Sequence, residues 1–183
     1  MKIESERLIL AVPSLDRIDD ILKFYTDNES HLEPWDPKKP ENFFTQEYWQ
    51  EKTQAAMEEF EKGVSVRFNL YIKETNELIG MINFTTLERG PFQNSRVGYK
   101  IGEQFQGQGY MSEGLSRGIE YMFNTLNFHR VEANYIPLNE RSGKLLKRLG
   151  FEEHGIAKNY LRIAGKWKDH ILTSKTNPNW KED

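Results

Sequence analysis

The sequence predicts an α+β chain built on a mostly antiparallel sheet. Three observations predict it. Several short stretches alternate apolar and polar residues with the period of a strand. Two of them, 66–72 and 78–85, are separated only by Glu74-Thr75-Asn76-Glu77 and read as a hairpin. A helical apolar period then follows a glycine-rich loop after the third of these strands. The expected order is β-α-α-β-β-β-(Gly loop)-α-β-α-β-β, a mixed topology. At 183 residues the chain is expected to form one domain over 1–183.

Each element has a local reason. Residues 7–12 place Leu8, Leu10 and Val12 on one face, as a first strand would. Ser14 is expected to cap a helix over 17–25, with Ile18, Ile21, Leu22 and Tyr25 along one side. Residues 33–40 hold three prolines and Trp35, so they break regular structure. Two readings stay open there: a lip over a site, or an ordinary ordered loop. Residues 46–62, rich in Glu, Gln and Ala, read as a second helix. Val66, Phe68, Leu70 and Ile72 alternate, as do Val97, Tyr99 and Ile101. Met111, Leu115, Ile119, Met122 and Leu126 then line one side of a helix. Gly114 and Gly118, one turn apart, are expected where that helix packs closely on the sheet, since mid-helix glycine otherwise costs about 1 kcal/mol against alanine. Val131, Ala133 and Tyr135 predict a strand ended by Pro137. Asn139 caps a short helix stopped by Gly150. A strand around Leu161 and Ile163, a tight turn at Ala164-Gly165 and a strand through Ile171 and Thr173 complete the chain.

Composition removes several classes of function. There is no cysteine, which excludes disulfides, a thiol nucleophile and thiolate zinc sites, and suits a reducing cytosol. The four histidines (His31, His129, His154, His170) lack ligand spacing, so no metal is expected. The first residues are charged, unlike a signal peptide, and no apolar run is long enough for a membrane span. The expected location is cytoplasmic. A net charge of −3 argues against broad nucleic-acid binding.

The loop before the long helix carries the chemistry. Strand, Gly107 and Gly109, then helix is a recipe for holding an anion. The first N–H groups of the helix lack internal partners, the helix dipole is positive there, and glycine lets a phosphate approach the backbone. The dinucleotide pattern GxGxxG fails, because Ser112 stands at its last position. The triphosphate pattern GxxxxGK[ST] is absent. What remains is a diphosphate carried by another kind of molecule.

Gln106-Gly107-Gln108-Gly109-Tyr110 before a helix resembles the pyrophosphate loop of the GCN5-related N-acetyltransferases, whose loop amides hold the diphosphate of acetyl-CoA. That family's pattern is [QR]xxGx[GA]. It fits completely from Gln104. From Gln106 it fits the strand-to-loop spacing better, with Met111 where Gly or Ala is expected, and that register is preferred. Asn139 to Phe151, with Ser142 and Leu149-Gly150-Phe151, resembles the family's segment flanking the pantetheine arm. Further stretches, among them Arg7-Leu8, Leu32-Glu33-Pro34-Trp35, His129-Arg130 and Asp169-His170, are similar to the RimJ/RimL branch, and closest to its RimJ side.

The resemblance implies an acetyltransferase fold. It also implies direct transfer of acetyl from CoA, as co-substrate, to the N-terminal alanine of a small-subunit ribosomal protein. Tyr99 and Ile101 are the implied backbone partners of pantetheine. Gln106, Gly107, Gln108, Gly109, Tyr110 and Met111 are the implied diphosphate holders, with Asn139 and Ser142 also at the cofactor. Many relatives use a tyrosine as proton donor four residues before the LGF glycine; Leu146 stands there. Ser142, matching a serine thought to act in RimL-type relatives, is the expected acid. The glutamate proposed as base in those enzymes maps to Leu161, so Glu33 and Glu103 are base candidates by chain position only. Trp35, Tyr160 and Trp167 are expected to wall a peptide channel, or to serve the core. Two other functions stay open. One is an acetyltransferase for a polyamine or aminoglycoside. The other is a non-catalytic acyl-CoA-binding or ribosome-assembly module, which the vacancy at Leu146 favours. Oligomeric state stays open.

Overall fold

The computed structural model describes residues 1–182. Eight strands form one sheet in the order β1-β2-β3-β4-β5-β6-β8-β7. They are β1 (Lys2–Glu4), β2 (Leu8–Ala11), β3 (Val66–Ile72), β4 (Leu78–Glu88), β5 (Asn94–Ile101), β6 (Arg130–Glu132), β7 (Glu152–Ile163) and β8 (Lys166–Thr176). Among the described residues only β5 and β6 pair in parallel. The α+β expectation therefore holds. The helices are α1 (Ile18–Asp27), α2 (Glu29–Leu32), α3 (Gln46–Glu61), α4 (Tyr110–Glu120) and α5 (Glu140–Arg148).

Alternation along the strands builds two cores. Leu8, Leu10, Phe68, Leu70, Ile82 and Phe84 turn to one face and meet Met111, Leu115 and Ile119 of α4. Ile9, Ala11, Tyr71 and Met81 turn to the other face, where α1 and the aromatic cluster of Tyr25, Phe43, Tyr48 and Trp49 pack. The two glycines of α4 serve contact, as expected. A Cβ on Gly114 would stand 2.5 Å from Leu70 Cδ2, and one on Gly118 would stand 3.0 Å from Phe84 Cε2.

Local details depart from the sequence reading. Ser14 gives no side-chain cap; a 3-10 turn over Leu15–Arg17 intervenes, and α1 starts at Ile18. The helix after the loop ends at Glu120 and continues as a π turn over Tyr121–Thr125. Strand β1 is three residues long and has no apolar alternation to betray it. Strand β7 begins at Glu152, far ahead of Leu161, because it is an exposed edge whose early residues face solvent on both sides. The strand expected through Tyr135 stops at Glu132, and Tyr135 makes only a bridge to Ile171 of β8.

That early stop opens the molecule. Strands β5 and β6 pair only at Asn94–Arg130, Ser95–Val131 and Arg96–Glu132, then diverge. The far edge of β5 beyond Arg96 is left without a strand. The Gly102 N–H donates to Ile79 O on β4 at 2.9 Å. Backbone alternation therefore turns the N–H and C=O groups of Tyr99 and Ile101 to the open edge.

Candidate acetyl-donor site

Strand β5 ends at Ile101, a 3-10 turn runs over Glu103–Phe105, and α4 starts at Tyr110. Between them Gly107 (φ +75°) and Gly109 (φ +82°) take left-handed backbone conformations that favour glycine. Gly109 is the N-terminal cap of α4, with no side chain to satisfy the first N–H groups. The Gln104 register of the family pattern places its last glycine on this cap. The preferred Gln106 register ends the pattern at Met111, in the first turn of α4, whose side chain is in the core.

The loop is braced by residues to which the sequence reading gave no role in the site. The Arg7 guanidinium donates from Nε to Glu113 Oε2 at 2.7 Å and from Nη1 to Gln108 O at 3.1 Å, and it lies 4.4 Å over the Tyr110 ring. The Arg7 N–H and the Ser5 hydroxyl both donate to Glu113 Oε1 at 2.7 Å. Burial alone would raise the Glu113 carboxyl, but the bonds from Arg7 and Ser5 outweigh it and hold the group below its ordinary value. Neither Arg7 nor Glu113 announces this partnership locally, because 106 residues separate them.

Tyr99 and Ser142 meet across the opening. The Tyr99 hydroxyl lies 2.6 Å from Ser142 Oγ. Asn139 caps α5 as expected, accepting the Ser142 N–H at Oδ1 at 3.2 Å. Burial pushes the Tyr99 phenol up to about 12, against a smaller opposing effect of the Ser142 bond. Leu146 is 1% exposed in the core. Gly143 lets Tyr135 approach α5, since a Cβ there would stand 2.8 Å from the ring.

The next residue of β5 faces the other wall. Lys100 Nζ donates to both carboxylate oxygens of Asp36 at 2.7 Å, and Asp36 O accepts the Ala164 N–H at 3.0 Å. The proline-rich segment is thus tied to β5 and to the tip of the β7–β8 hairpin. Burial would lower the Lys100 ammonium, but Tyr25 and Asp36 together hold it above its ordinary value.

The expected peptide-channel residues lie around that tip. Trp35 neighbours Asp36 and is partly exposed, and Trp167 pairs in register with Arg162 and is exposed. Tyr160 lies in the bulge between Ala157 and Leu161, accepts from Asn134 Nδ2 at 3.1 Å and packs on the buried His170. Glu33 and Glu103 are exposed, and neither carboxylate is brought to Ser142 or to any other hydrogen-bond partner in the described chain. Among the described residues no group of three His, Cys, Asp or Glu is placed to hold a metal ion, and no helix is long and apolar enough to cross a membrane.

A helix start without a capping side chain, beside a strand with a free edge, is an arrangement able to take a diphosphate and an extended arm. Residues 7–152 match the acetyltransferase (GNAT) domain model, and the chain belongs to that family. It is 43% identical over 157 residues to the [ribosomal protein uS5]-alanine N-acetyltransferase of Escherichia coli, covering 86% of this chain and 81% of that protein. Among solved structures, the ribosomal-protein-S5-alanine acetyltransferase of Vibrio fischeri superposes with a TM-score of 0.94 at 36% identity, covering 100% of both chains. RimJ of Mycobacterium smegmatis, in complex with CoA-disulfide, shares the fold with a TM-score of 0.88 at 23% identity, covering 96% of this chain and 85% of that one.

Proposed function

We propose that this chain, one domain over 1–183, transfers acetyl from acetyl-CoA to the α-amine of the N-terminal alanine of ribosomal protein uS5, in the cytoplasm. The observation that carries the substrate is the 43% identity to the E. coli enzyme over most of both chains. Acetyl-CoA is supported by the glycine loop and the open edge of β5.

In this reading the backbone N–H groups from Gln106 to Met111 hold the diphosphate, together with the dipole of α4. Tyr99 and Ile101 bond the pantetheine amides as a neighbouring strand would. Asn139, its oxygen engaged in the cap, keeps its NH2 group for the same arm. The amine attacks directly in a ternary complex. As the thioester C–S bond breaks, Ser142 Oγ gives its proton to the departing sulfur and regains one from solvent water. Tyr99 is a positioning residue that holds the Ser142 hydroxyl and stays protonated across the working range.

An α-amine ionises at about 7.8 and lysine at about 10.4, so presenting a neutral lysine at pH 7 costs about 3.5 kcal/mol more. Glu33 and Glu103, both exposed, are the candidates for taking the amine proton through water, an arrangement that suits the less demanding α-amine. Trp35, Tyr160 and Trp167 wall the entry of the peptide. A protein of net charge −3 approaches a basic ribosomal tail without contacting nucleic acid directly.

The test is donor turnover with defined acceptors. A peptide with the uS5 N-terminus and a free alanine amine gains one acetyl group and releases CoA. Transfer only to spermidine or an aminoglycoside contradicts the ribosomal substrate. Acetyl-CoA binding without turnover on any amine contradicts the enzyme reading.

A further inference from the structure

We infer that Arg141 supplies the side-chain cation for the diphosphate of acetyl-CoA, and that the Gln106 carboxamide holds its place in the free protein. The inference rests on the reading above, in which the diphosphate lies on the amides of 106–111.

Arg141 stands in the first turn of α5, one residue before Ser142. That turn reaches across the opening at two points. Ser142 meets Tyr99 on β5, and the Arg141 guanidinium donates from Nη1 to Gln106 Oε1 at the start of the loop. Gln106 Nε2 in turn lies 2.9 Å from His31 Nε2. The polarity of this chain is fixed by its first member. Arginine only donates, so the Gln106 oxygen faces Arg141 and its NH2 group faces His31.

Charge separates Arg141 from Arg7 and from Lys144. Arg7 is engaged by Glu113 and by Gln108 O. Lys144, one turn along α5, is paired with Glu140 at 3.2 Å. Among the described residues Arg141 has no carboxylate partner; its only bond is to a neutral amide oxygen. The loop needs a cation. A helix start offers roughly half a unit of positive charge to a doubly charged diphosphate. Glu103 and Glu113 flank the same segment, and only Glu113 is neutralised by an ion pair. A phosphate oxygen is a stronger acceptor for guanidinium than a carboxamide oxygen, because the bond is charge-assisted and the planar fork matches the phosphate. Exchange of Gln106 for phosphate at Arg141 is therefore downhill, and Gln106 remains tied to His31.

The experiment compares three donors: acetyl-CoA, acetyl-dephospho-CoA, which lacks the 3′-phosphate, and S-acetylpantetheine, which lacks the diphosphate and nucleotide. For Arg141→Ala, kcat/KM is expected to fall about 10- to 100-fold with both nucleotide donors, mostly through KM, and to stay within about twofold with S-acetylpantetheine. Arg141→Lys should recover part of the loss. Arg141→Ala should also flatten the salt dependence of the acetyl-CoA KM. An equal loss with S-acetylpantetheine would show a merely structural role and overturn the inference. So would a loss confined to acetyl-CoA, which would assign Arg141 to the 3′-phosphate, or no loss at all. If the unaltered protein itself uses S-acetylpantetheine as well as acetyl-CoA, the loop reading fails first, and the two failures are distinct.

Discussion

Ser142 and Tyr99 show how much rests on one contact. The Tyr99 and Ser142 oxygens lie 2.6 Å apart, and burial keeps the phenol protonated far above neutrality. Ser142→Ala is expected to lower kcat by about 100-fold with little change in the KM for acetyl-CoA, as loss of a proton donor would. Tyr99→Phe should lower kcat by about tenfold, since it removes orientation and leaves the donor. The pH profile of the unaltered enzyme should show no limb from Tyr99 below about 11. The sign follows from the raised phenol: stability is unaffected below about 10, where an unfolded tyrosine ionises, and falls as pH rises through about 12. A phenolate absorbance titration of the folded protein checks the late ionisation of Tyr99 and of Tyr135, which burial and Glu153 also push up to about 12. Sequence placed Ser142 and Tyr99 in one site by resemblance but gave them separate tasks. Their contact was not legible, because strand and helix are 43 residues apart and no spacing rule links them.

Among the elements, α4 and β5 do most to position the site. The apolar spacing of α4 was readable from Met111 onward, and so was the use of Gly114 and Gly118, because glycine inside a helix needs a reason. Gly114→Ala drives a methyl group into Leu70 and is expected to destabilise the fold by about 1–3 kcal/mol, read by denaturant unfolding. The long β7 was not readable, because alternation vanishes when an edge strand is wet on both faces. The proline-rich segment was readable as irregular, yet its anchor was not. Lys100 and Asp36 are mostly buried, at 20% and 15% side-chain exposure, so removing one leaves the other charge unpaired. Lys100→Met is expected to cost about 3 kcal/mol. If the segment walls the peptide entry as proposed, the substitution should also raise the KM for the peptide more than that for acetyl-CoA, because Lys100 ties residue 36 and makes no bond to the glycine loop.

At the scale of the whole molecule, the sheet is incomplete where the proposed acetyl-donor site lies. Strands β5 and β6 pair at one end and part at the other, leaving backbone groups of β5 unpaired beside a helix start that lacks a capping side chain. One core takes in α4 and α5, and the other packs on α1 and the aromatic cluster around Phe43. Sequence reasoning reached the fold and the loop because hairpins, helical spacing and glycine punctuation are local signals. The Arg7–Glu113 brace and the Lys100–Asp36 latch are tertiary, and nothing nearby in the chain foretells them.

The account stands on where the diphosphate lies. The most direct measurement is a backbone amide NMR titration with CoA. The account predicts the largest shifts at the N–H groups of Gly107, Gly109 and Tyr110, with Tyr99 and Ile101 following as the arm pairs with β5. Saturating shifts elsewhere, with these five amides unmoved, would contradict it.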